Sequence, residues 1–424
     1  MTHTAVRPAV QRSPASAPAP APRRRRFVAL LVFVLGILTA TGPLATDLYL
    51  PAFPQIAAEL DAPASQIQLT LTAVMVGMAL GQMVIGPMSD VWGRRRPLLI
   101  GVAVFTVASL LCVVAPSAPA LIAIRFVQGL AGAAGAVISR AVVRDTFEGD
   151  AAAKFFSRLI LIVGLAPMLG PILGGQLLLL GPWQLIFAVL GAAGLLSFAL
   201  VLFCLPETLP AHQRSPLQAA AMARTFARLL RDPRFLGPTL TLGLSFAMTF
   251  TYISAFSFIS QNEFGGSAQQ FSLIFGVNTL GMVLGTQVNA ALITRMHTSR
   301  RLLAGLAGSV AAVAALAALA MSGQANLVSV TAVLFVMMFC TGFISPNATT
   351  LAISSQPAEV AGTASALLGT LQFALGGGLA ATAGLTATGE ASLASMTAVM
   401  LATGVAAALV FAWTAARGHA RTAL

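Results

Sequence analysis

Two charged side chains interrupt otherwise apolar runs. Asp47 stands in ATGPLATDLYLPAFP, and Arg125 in PALIAIRFVQGLAG. A charge in hydrocarbon costs a few kcal/mol or more, so it survives where it pairs, relays protons or lines a path. Asp47 could take up and release a proton, and Arg125 could set the charge it feels. Counting at helical rise from Arg26 puts Asp47 about 30 Å along, toward the far end of its segment. Arg125 lies about 9 Å from that same face, so a pairing is geometrically possible. The blander alternative has Asp47 ending a helix at the interface and Arg125 snorkelling outward. His3, His212, His297 and His419 all fall in tails or connections, and no Glu falls inside an apolar segment. One Asp and one Arg do not make a nucleophile, base or metal set, and no Walker-type loop is present. The expectation is therefore a protein that is not an enzyme and uses no cofactor or metal.

Three glycine-bearing clusters accompany this pair. The first reads Gly86-Pro-Met-Ser-Asp90-Val-Trp-Gly93-Arg94-Arg95-Arg96. Gly93 suits a compact turn, Asp90 can accept from a helix N-terminus, and Arg94 can pair with Asp90. The second is Arg125-Phe-Val-Gln128-Gly129-Leu-Ala-Gly132, whose small residues permit close helix approach. The third is Gly170-Pro171-Ile-Leu-Gly174-Gly175, where Pro171 removes a helix hydrogen bond and the glycines offer a flat packing face.

The elements that must carry these residues are membrane helices. The 424-residue chain is 57% hydrophobic and only 8% charged, with mean hydropathy +0.88. So few charges cannot cover a soluble surface. Apolar segments run at about 27–50, 66–88, 97–115, 119–143, 157–180, 184–205, 237–260, 270–293, 302–321, 326–350, 361–383 and 392–415, each near the roughly 20 residues a span needs. The first could be mistaken for a secretory signal after Arg23 to Arg26, but it is too long and many spans follow. All Lys and Arg residues except Arg125 and Arg140 fall in the tails or in alternate connections. The opposite connections carry Glu59, Asp61, Glu263 and Glu390 and no Lys or Arg. This positive-inside pattern explains the net charge of +12 without nucleic acid, and it predicts two cytoplasmic termini. Cys112, Cys204 and Cys340 are expected as small buried hydrophobes.

The chain divides into a disordered basic tail (1–26), a six-helix half (27–205), a cytoplasmic connection (206–236), a second six-helix half (237–416) and a short tail (417–424). A faint repeat supports the division. At an offset of 204, Leu80-Gly81 falls on Leu284-Gly285 and Arg96 on Arg300; at 203, Gly174-Gly175 falls on Gly377-Gly378. At the 204 offset Asp47 falls on Thr251 and Arg125 on Ser329, so any proton chemistry is expected to be concentrated in the first half. The second half would shape the substrate, with Phe246, Phe250, Tyr252, Phe256 and Phe258 in segment 7 and Phe335, Met337, Met338 and Phe339 in segment 10.

These motifs resemble those of the major facilitator superfamily. The Gly86–Arg96 loop is similar to the family's loop signature, and the Arg125 cluster to its second motif. The Gly170–Gly175 cluster resembles the third motif, typical of drug/proton antiporters, although Ala166 stands where the pattern has another glycine. Asp47-Leu-Tyr49-Leu-Pro51-Ala-Phe-Pro54, Pro206-Glu207-Thr208-Leu209, Asn278, Asn347 and Ala361-Gly362-Thr363-Ala364-Ser365-Ala366 are similar to the bicyclomycin/chloramphenicol-type (Bcr/CflA) efflux family. The resemblance spans about residues 27 to 416. It implies an all-α fold of twelve transmembrane helices in two pseudo-symmetric halves. It further implies a monomeric, proton-driven efflux transporter in the cytoplasmic membrane, with drugs, protons and lipid as partners. Asp47 and Arg125 would couple protons, and Gly86, Asp90, Gly93 and Arg94 would clamp the halves on the cytoplasmic side. Tyr49, Gln128, Phe246, Tyr252, Asn278, Asn347 and Gln372 are the candidate substrate pocket. Export of a native metabolite or self-made antibiotic, or proton-coupled uptake, are the alternatives.

Overall fold

The computed structural model describes residues 22–147, 149–214, 219–357, 360–380, 382 and 391–422. The N-terminal tail up to residue 21, Glu359 and Glu390 lie outside the described residues. The described residues form helices α1 (Pro22–Asp47), α2 (Phe53–Glu59), α3 (Ala64–Trp92), α4 (Arg95–Val113), α5 (Ala118–Thr146), α6 (Gly149–Leu180) and α7 (Gln184–Cys204) in a first half. A short helix α8 (Ala219–Arg231) follows. The second half holds α9 (Pro233–Phe258), α10 (Ala268–Ala291), α11 (Thr298–Met321), α12 (Leu327–Ser354), α13 (Ala361–Ala380) and α14 (Leu393–Thr422). Eleven described stretches are long and apolar enough to cross a membrane, and the described apolar part of α6, Gly164–Leu180, supplies a shorter twelfth. Main-chain polar groups have no water partner in a bilayer, so helices are the available solution for such a chain.

Two features differ from the sequence reading. The first span does not end near residue 50 but runs over Leu30–Glu59, broken by a 3-10 turn at Leu50–Ala52. Pro51 and Pro54 cause the break, because neither has an N–H to continue the ladder. Asp47 therefore sits inside the span and not near its far end. The connection between the halves also contains α8, whose Phe226 and Leu229 pack on the second half while Arg224, Arg228 and Arg231 stay exposed. Of the three cysteines, only Cys112 is fully buried; Cys204 and Cys340 are half-buried.

The packing is asymmetric along the bundle. At the end bearing Glu59 and Glu263, here the acidic end, one apolar core is shared by both halves and includes Phe53, Phe187, Phe258 and Leu334. Toward the opposite, basic end the core splits in two. Leu35, Leu98 and Ile138 belong to a first-half cluster, and Phe235, Leu306 and Ile344 to a second-half cluster. The halves touch chiefly through α3 on α13 and α6 on α10. Apolar burial therefore joins them at the acidic end and leaves them separate at the basic end. Glu59 and Glu263 repeat one role at the 204 offset. Glu59 accepts from Trp183 Nε1 and Gln184 Nε2 at the start of α7, both at 2.6 Å, and Glu263 accepts from Leu393 N at the start of α14 at 2.8 Å.

Candidate substrate and coupling site

A cavity of about 570 Å³ lies between the halves, within the range typical of small-molecule sites. The first half contributes Pro43, Thr46, Asp47, Met75, Met78 and Pro167. The second half supplies the rest, including Phe246, Phe250, Phe275, Met282, Met338, Gln372 and Phe373. Asp47 is the one charged residue among those lining it. Phe246 stacks on Phe250 at 5.6 Å and meets Phe373 edge-on, giving an aromatic wall. A second cavity, a groove of about 410 Å³ between α4 and α5, is lined by Ala, Val, Leu and Ile alone and offers no polar group to orient a ligand.

The helix break positions Asp47. Pro51 cannot donate to the Asp47 carbonyl, so α1 stops there and the carboxylate is presented at the end of a discontinuous helix. The glycines of α6 make room for it. A Cβ on Gly170 would come within 2.9 Å of the Asp47 Cβ, and one on Gly174 would overlap the Leu48 carbonyl. Gly175 faces the other half: its carbonyl accepts from Gln269 Nε2 of α10 at 3.0 Å. Pro171 lies between them within α6.

Arg125 is fully buried but is not the partner of the Asp47 carboxylate. Among the described residues both ion pairs closer than 4.0 Å involve Arg94. Arg125 Nη2 donates to the Ala45 carbonyl at 2.7 Å, and Nη1 donates to Gln128 Oε1. Gln128 Nε2 in turn donates to Ser109 Oγ at 2.7 Å. The guanidinium stacks over Tyr49 at 4.1 Å and faces Phe187 at 5.5 Å. The expected direct pairing is thus replaced by a backbone contact. α1 ends two residues after Ala45, and Arg125 donates to the carbonyl there. Its charge is stabilised by two ring faces and neutral acceptors.

The residues expected at the substrate pocket fall in different places. Phe246 and Gln372 line the cavity. Tyr49 and Gln128 instead belong to the Arg125 cluster, with Tyr49 Oη 2.9 Å from Thr70 Oγ1. Tyr252 and Asn278 are buried behind the wall, where Asn278 Nδ2 donates to Tyr252 Oη at 2.9 Å. Asn347 is buried in a separate network, donating to Asn289 Oδ1 at 2.7 Å. Each needs an internal partner once buried, which pulls it off the cavity surface. The methionines Met75, Met78 and Met282 were missed, because Met on an apolar helix reads equally as core or lipid face.

Near the basic end, the Gly86–Arg96 loop forms a charge cluster. Gly93 has φ +87, the left-handed region that favours glycine. Arg94 Nη1 donates to Asp90 Oδ1 and to Ser89 Oγ, and Nε donates to Asp145 Oδ2 at 2.8 Å. Burial alone would lower the Arg94 pKa, but the hydrogen bonds and charges of Asp145 and Asp90 outweigh it and raise it. Asp90 was expected to receive a helix N-terminus. Glu207 does so instead, accepting from Arg94 N at 2.7 Å and Arg95 N at 3.2 Å. These bonds join α3, α4, α5 and the exit of α7, all in the first half. A Cβ on Gly86 would stand 3.7 Å from Val137 Cγ1 of α5, an ordinary contact, so packing does not require glycine there. Glu207 was legible through the Pro206–Leu209 motif, whereas Asp145 carries no sequence signal beyond an acid beside the basic Arg144.

The comparisons agree with this architecture. The sequence model of the Major Facilitator Superfamily matches residues 28–381. An uncharacterized MFS-type transporter, YdgK of Bacillus subtilis, is 39% identical over 383 residues, 90% of this chain and 94% of its own. A bicyclomycin resistance protein homolog of Haemophilus influenzae is 33% identical over 347 residues, covering 82% and 87%. A multidrug resistance protein, MdtL of Klebsiella pneumoniae, is 31% identical over 248 residues, covering 58% and 62%. Among solved structures, a nucleoside transporter, NupG, superposes with TM-score 0.72 at 12% identity over 91% of this chain and 99% of its own. A D-xylose–proton symporter gives 0.69 at 15% over 91% and 97%. At those identities the likeness is one of fold. A multi-pass helical membrane protein with two six-helix halves, a cavity between them and these relatives is a transporter and not an enzyme: the chain belongs to the Major Facilitator Superfamily.

Proposed function

We propose that the chain is a proton-driven efflux transporter, exporting amphipathic antibiotics such as chloramphenicol- or bicyclomycin-like compounds across the cytoplasmic membrane in exchange for protons. The observation that carries this reading is Asp47, the one charged residue among those lining a cavity whose other residues are aromatic, aliphatic, Met and neutral polar (Ser, Thr and Gln372). An apolar wall with one ionisable group suits a bulky amphiphile, and a carboxylate can hold a drug contact or a proton in turn. The glycine face of α6 against the Asp47 break, and relatives named for bicyclomycin and multidrug resistance, support export over uptake. In the proposed cycle Asp47 takes a proton from outside as drug leaves, the halves rock, and proton release inside lets the next drug bind. Arg125 acts as a positioning residue that holds α1 at Ala45. No cofactor enters the cycle, and the protein works as a monomer with both termini in the cytoplasm.

The test is uptake of chloramphenicol into everted vesicles under an imposed pH gradient. The wild type should concentrate drug. Asp47→Asn should abolish uphill transport while equilibrium binding persists. A mutant that still concentrates drug removes Asp47 from coupling. Drug uptake driven in the opposite direction would show a symporter. Reporter fusions after residues 62 and 264 should report outside, and after 220 and 298 inside.

A further inference from the structure

The shared core at the acidic end holds two features with opposite effects on the closed face. The first is a set of bonds between the halves. Ser257 Oγ of α9 donates to the Leu50 carbonyl at 2.6 Å. Gln261 Nε2, in the π-turn Ile259–Glu263 that extends α9, donates to the Pro51 carbonyl at 3.1 Å. The broken first span leaves these carbonyls open to such donors, although Phe53 N–H already bonds to the Leu50 carbonyl within the turn. Pro54 has no N–H, so it gives Leu50 O no i+4 donor and Pro51 O no i+3 donor. Phe53 and Phe258 pack beside them with ring centroids 5.7 Å apart.

The second feature is Gln68 of α3. It is fully buried, and neither its Oε1 nor its Nε2 has a hydrogen-bond partner. Gln68 shares a helix face with Thr72 and Met75, four and seven residues on. Thr72 Oγ1 donates to the Gly377 carbonyl of the other half at 2.9 Å, and Met75 lines the cavity between the halves. Gln68 thus faces the second half one turn nearer the acidic end. The closure that makes the Ser257 and Gln261 bonds also strips water from the Gln68 amide. An unpaired buried amide is costly, and most native ones find a partner.

We propose that the acidic-end seal is a poised latch: Ser257 and Gln261 of the second half hold the Leu50 and Pro51 carbonyls of the first, while the buried, unpaired amide of Gln68 opposes the same closure and keeps it releasable. All three are positioning residues that touch no substrate. The latch bonds exchange for water bonds when the halves part, so their net contribution is modest. Gln68 gains water on opening and loses it on closing. A seal made only of apolar contacts and latch bonds would be one-sided, and a transporter needs both states populated.

The test is the distance between spin labels at Ser65 and Gln324, which flank the acidic end on opposite halves. It uses the full chain in nanodiscs, with Cys112, Cys204 and Cys340 replaced by Ala. The wild type should show a closed and an open distance. Gln68→Leu and Gln68→Met should each raise the closed-to-open ratio about tenfold. The double variant Ser257→Ala, Gln261→Ala should lower it about fivefold, and the triple variant should return toward wild type. Two results overturn the proposal: Gln68 variants that leave the ratio unchanged or favour the open distance, or a latch variant with an unchanged ratio. A Gln68 that serves only packing would lower thermal stability without moving the distances, which also overturns it. No drug or proton enters the measurement, so the proposal stands or falls separately from antiport.

Discussion

The two halves share a scaffold and differ in what it carries. In the first half, Asp47 lines the cavity and a buried Arg125 braces the helix that ends there. In the second, Thr251 stands at the repeat position of Asp47, fully buried, with its hydroxyl on the Ala247 carbonyl. The basic-end clusters differ in the same way. Arg94 is held by Asp90 and Asp145. Arg301 is equally buried but is held by Asn289 Oδ1 at 3.1 Å, the Met296 carbonyl at 3.1 Å and Thr298, with Asn347 on the same Asn289 oxygen. One half binds its arginine with charge, the other with neutral dipoles. Each half carries a buried arginine bridge near this level, and only the first builds it with carboxylates. The carboxylates of the first half are therefore open to a functional explanation.

The largest expected effect comes from the glycine faces. Gly174→Ala would drive a Cβ into the Leu48 carbonyl, a main-chain atom that cannot yield unless α6 leaves α1. Gly378 of α13, next to Gly377 on which Gly174 falls at the 203 offset, has open space where a Cβ would stand, with no atom within 4 Å, so Gly378→Ala meets nothing. Drug export by Gly174→Ala should fall more than about tenfold, since displacing a packed helix from the reacting group by an ångström is enough for that. Gly378→Ala should stay within about twofold, because it adds a methyl group with no clash. Equal losses in matched vesicle assays would erase the distinction between the halves.

A middle effect is expected at the buried arginines. Arg125→Ala leaves the Ala45 carbonyl and Gln128 Oε1 without their donor in a site closed to water. Loss of about 2–4 kcal/mol of stability is expected, with loss of transport. Arg125→Lys keeps a charge but not the planar fork over Tyr49 and Phe187, and partial activity should remain. Arg301→Ala should cost less, about 1–2 kcal/mol, because neighbouring His297, Ser299 and Arg300 are exposed and water can reach the vacated acceptors. Thermal unfolding in one detergent checks the order of the two arginines.

The span pattern, the two halves and the Asp47–Arg125 neighbourhood were legible because charges in apolar runs and alternate basic connections are strong signals. The first span's extension past Pro51 was not. Pro51 and Pro54 read as a terminus, yet the chain resumes as α2 and the second half covers the break. The pairing of Arg125 with Ser329 also fails. Ser329 caps the start of α12, hydrogen-bonded to Asn326, because α11 has 24 residues where α4 has 19 and the repeat slips. Matched from helix starts, Arg125 meets Leu334, a buried core residue. Tyr252 and Asn278 show the remaining gap: sequence can say that a polar residue is inside a helix bundle, but not whether it faces the cavity or another helix.

The smallest effect, and the one that isolates charge from shape, is pH. Burial of Glu207 would raise its pKa, but backbone hydrogen bonds from Leu209, Arg94 and Arg95 and the nearby Arg214 charge outweigh it and hold the carboxyl below the usual range. A carboxyl whose pKa is depressed on folding contributes stability that is fully present above its unfolded value, near 4.5, and lost as pH falls through the lower folded value. The first-half cluster should therefore loosen only in acid, below about pH 4.5, and be constant from there to neutrality. Asn289, Asn347 and Thr298 do not titrate, so the second-half cluster should not respond in that window. Thiol labelling of single cysteines at Thr208 and at Thr298, in a chain otherwise free of cysteine and quenched to a common pH, reads the two sites separately. Faster labelling at Thr208 alone after acid exposure is the expected result. Glu207→Gln should abolish the pH step and label at the acid rate throughout. Parallel changes at both positions would mean that the bundle opens as a whole, and that the charged and neutral clusters do not differ in kind.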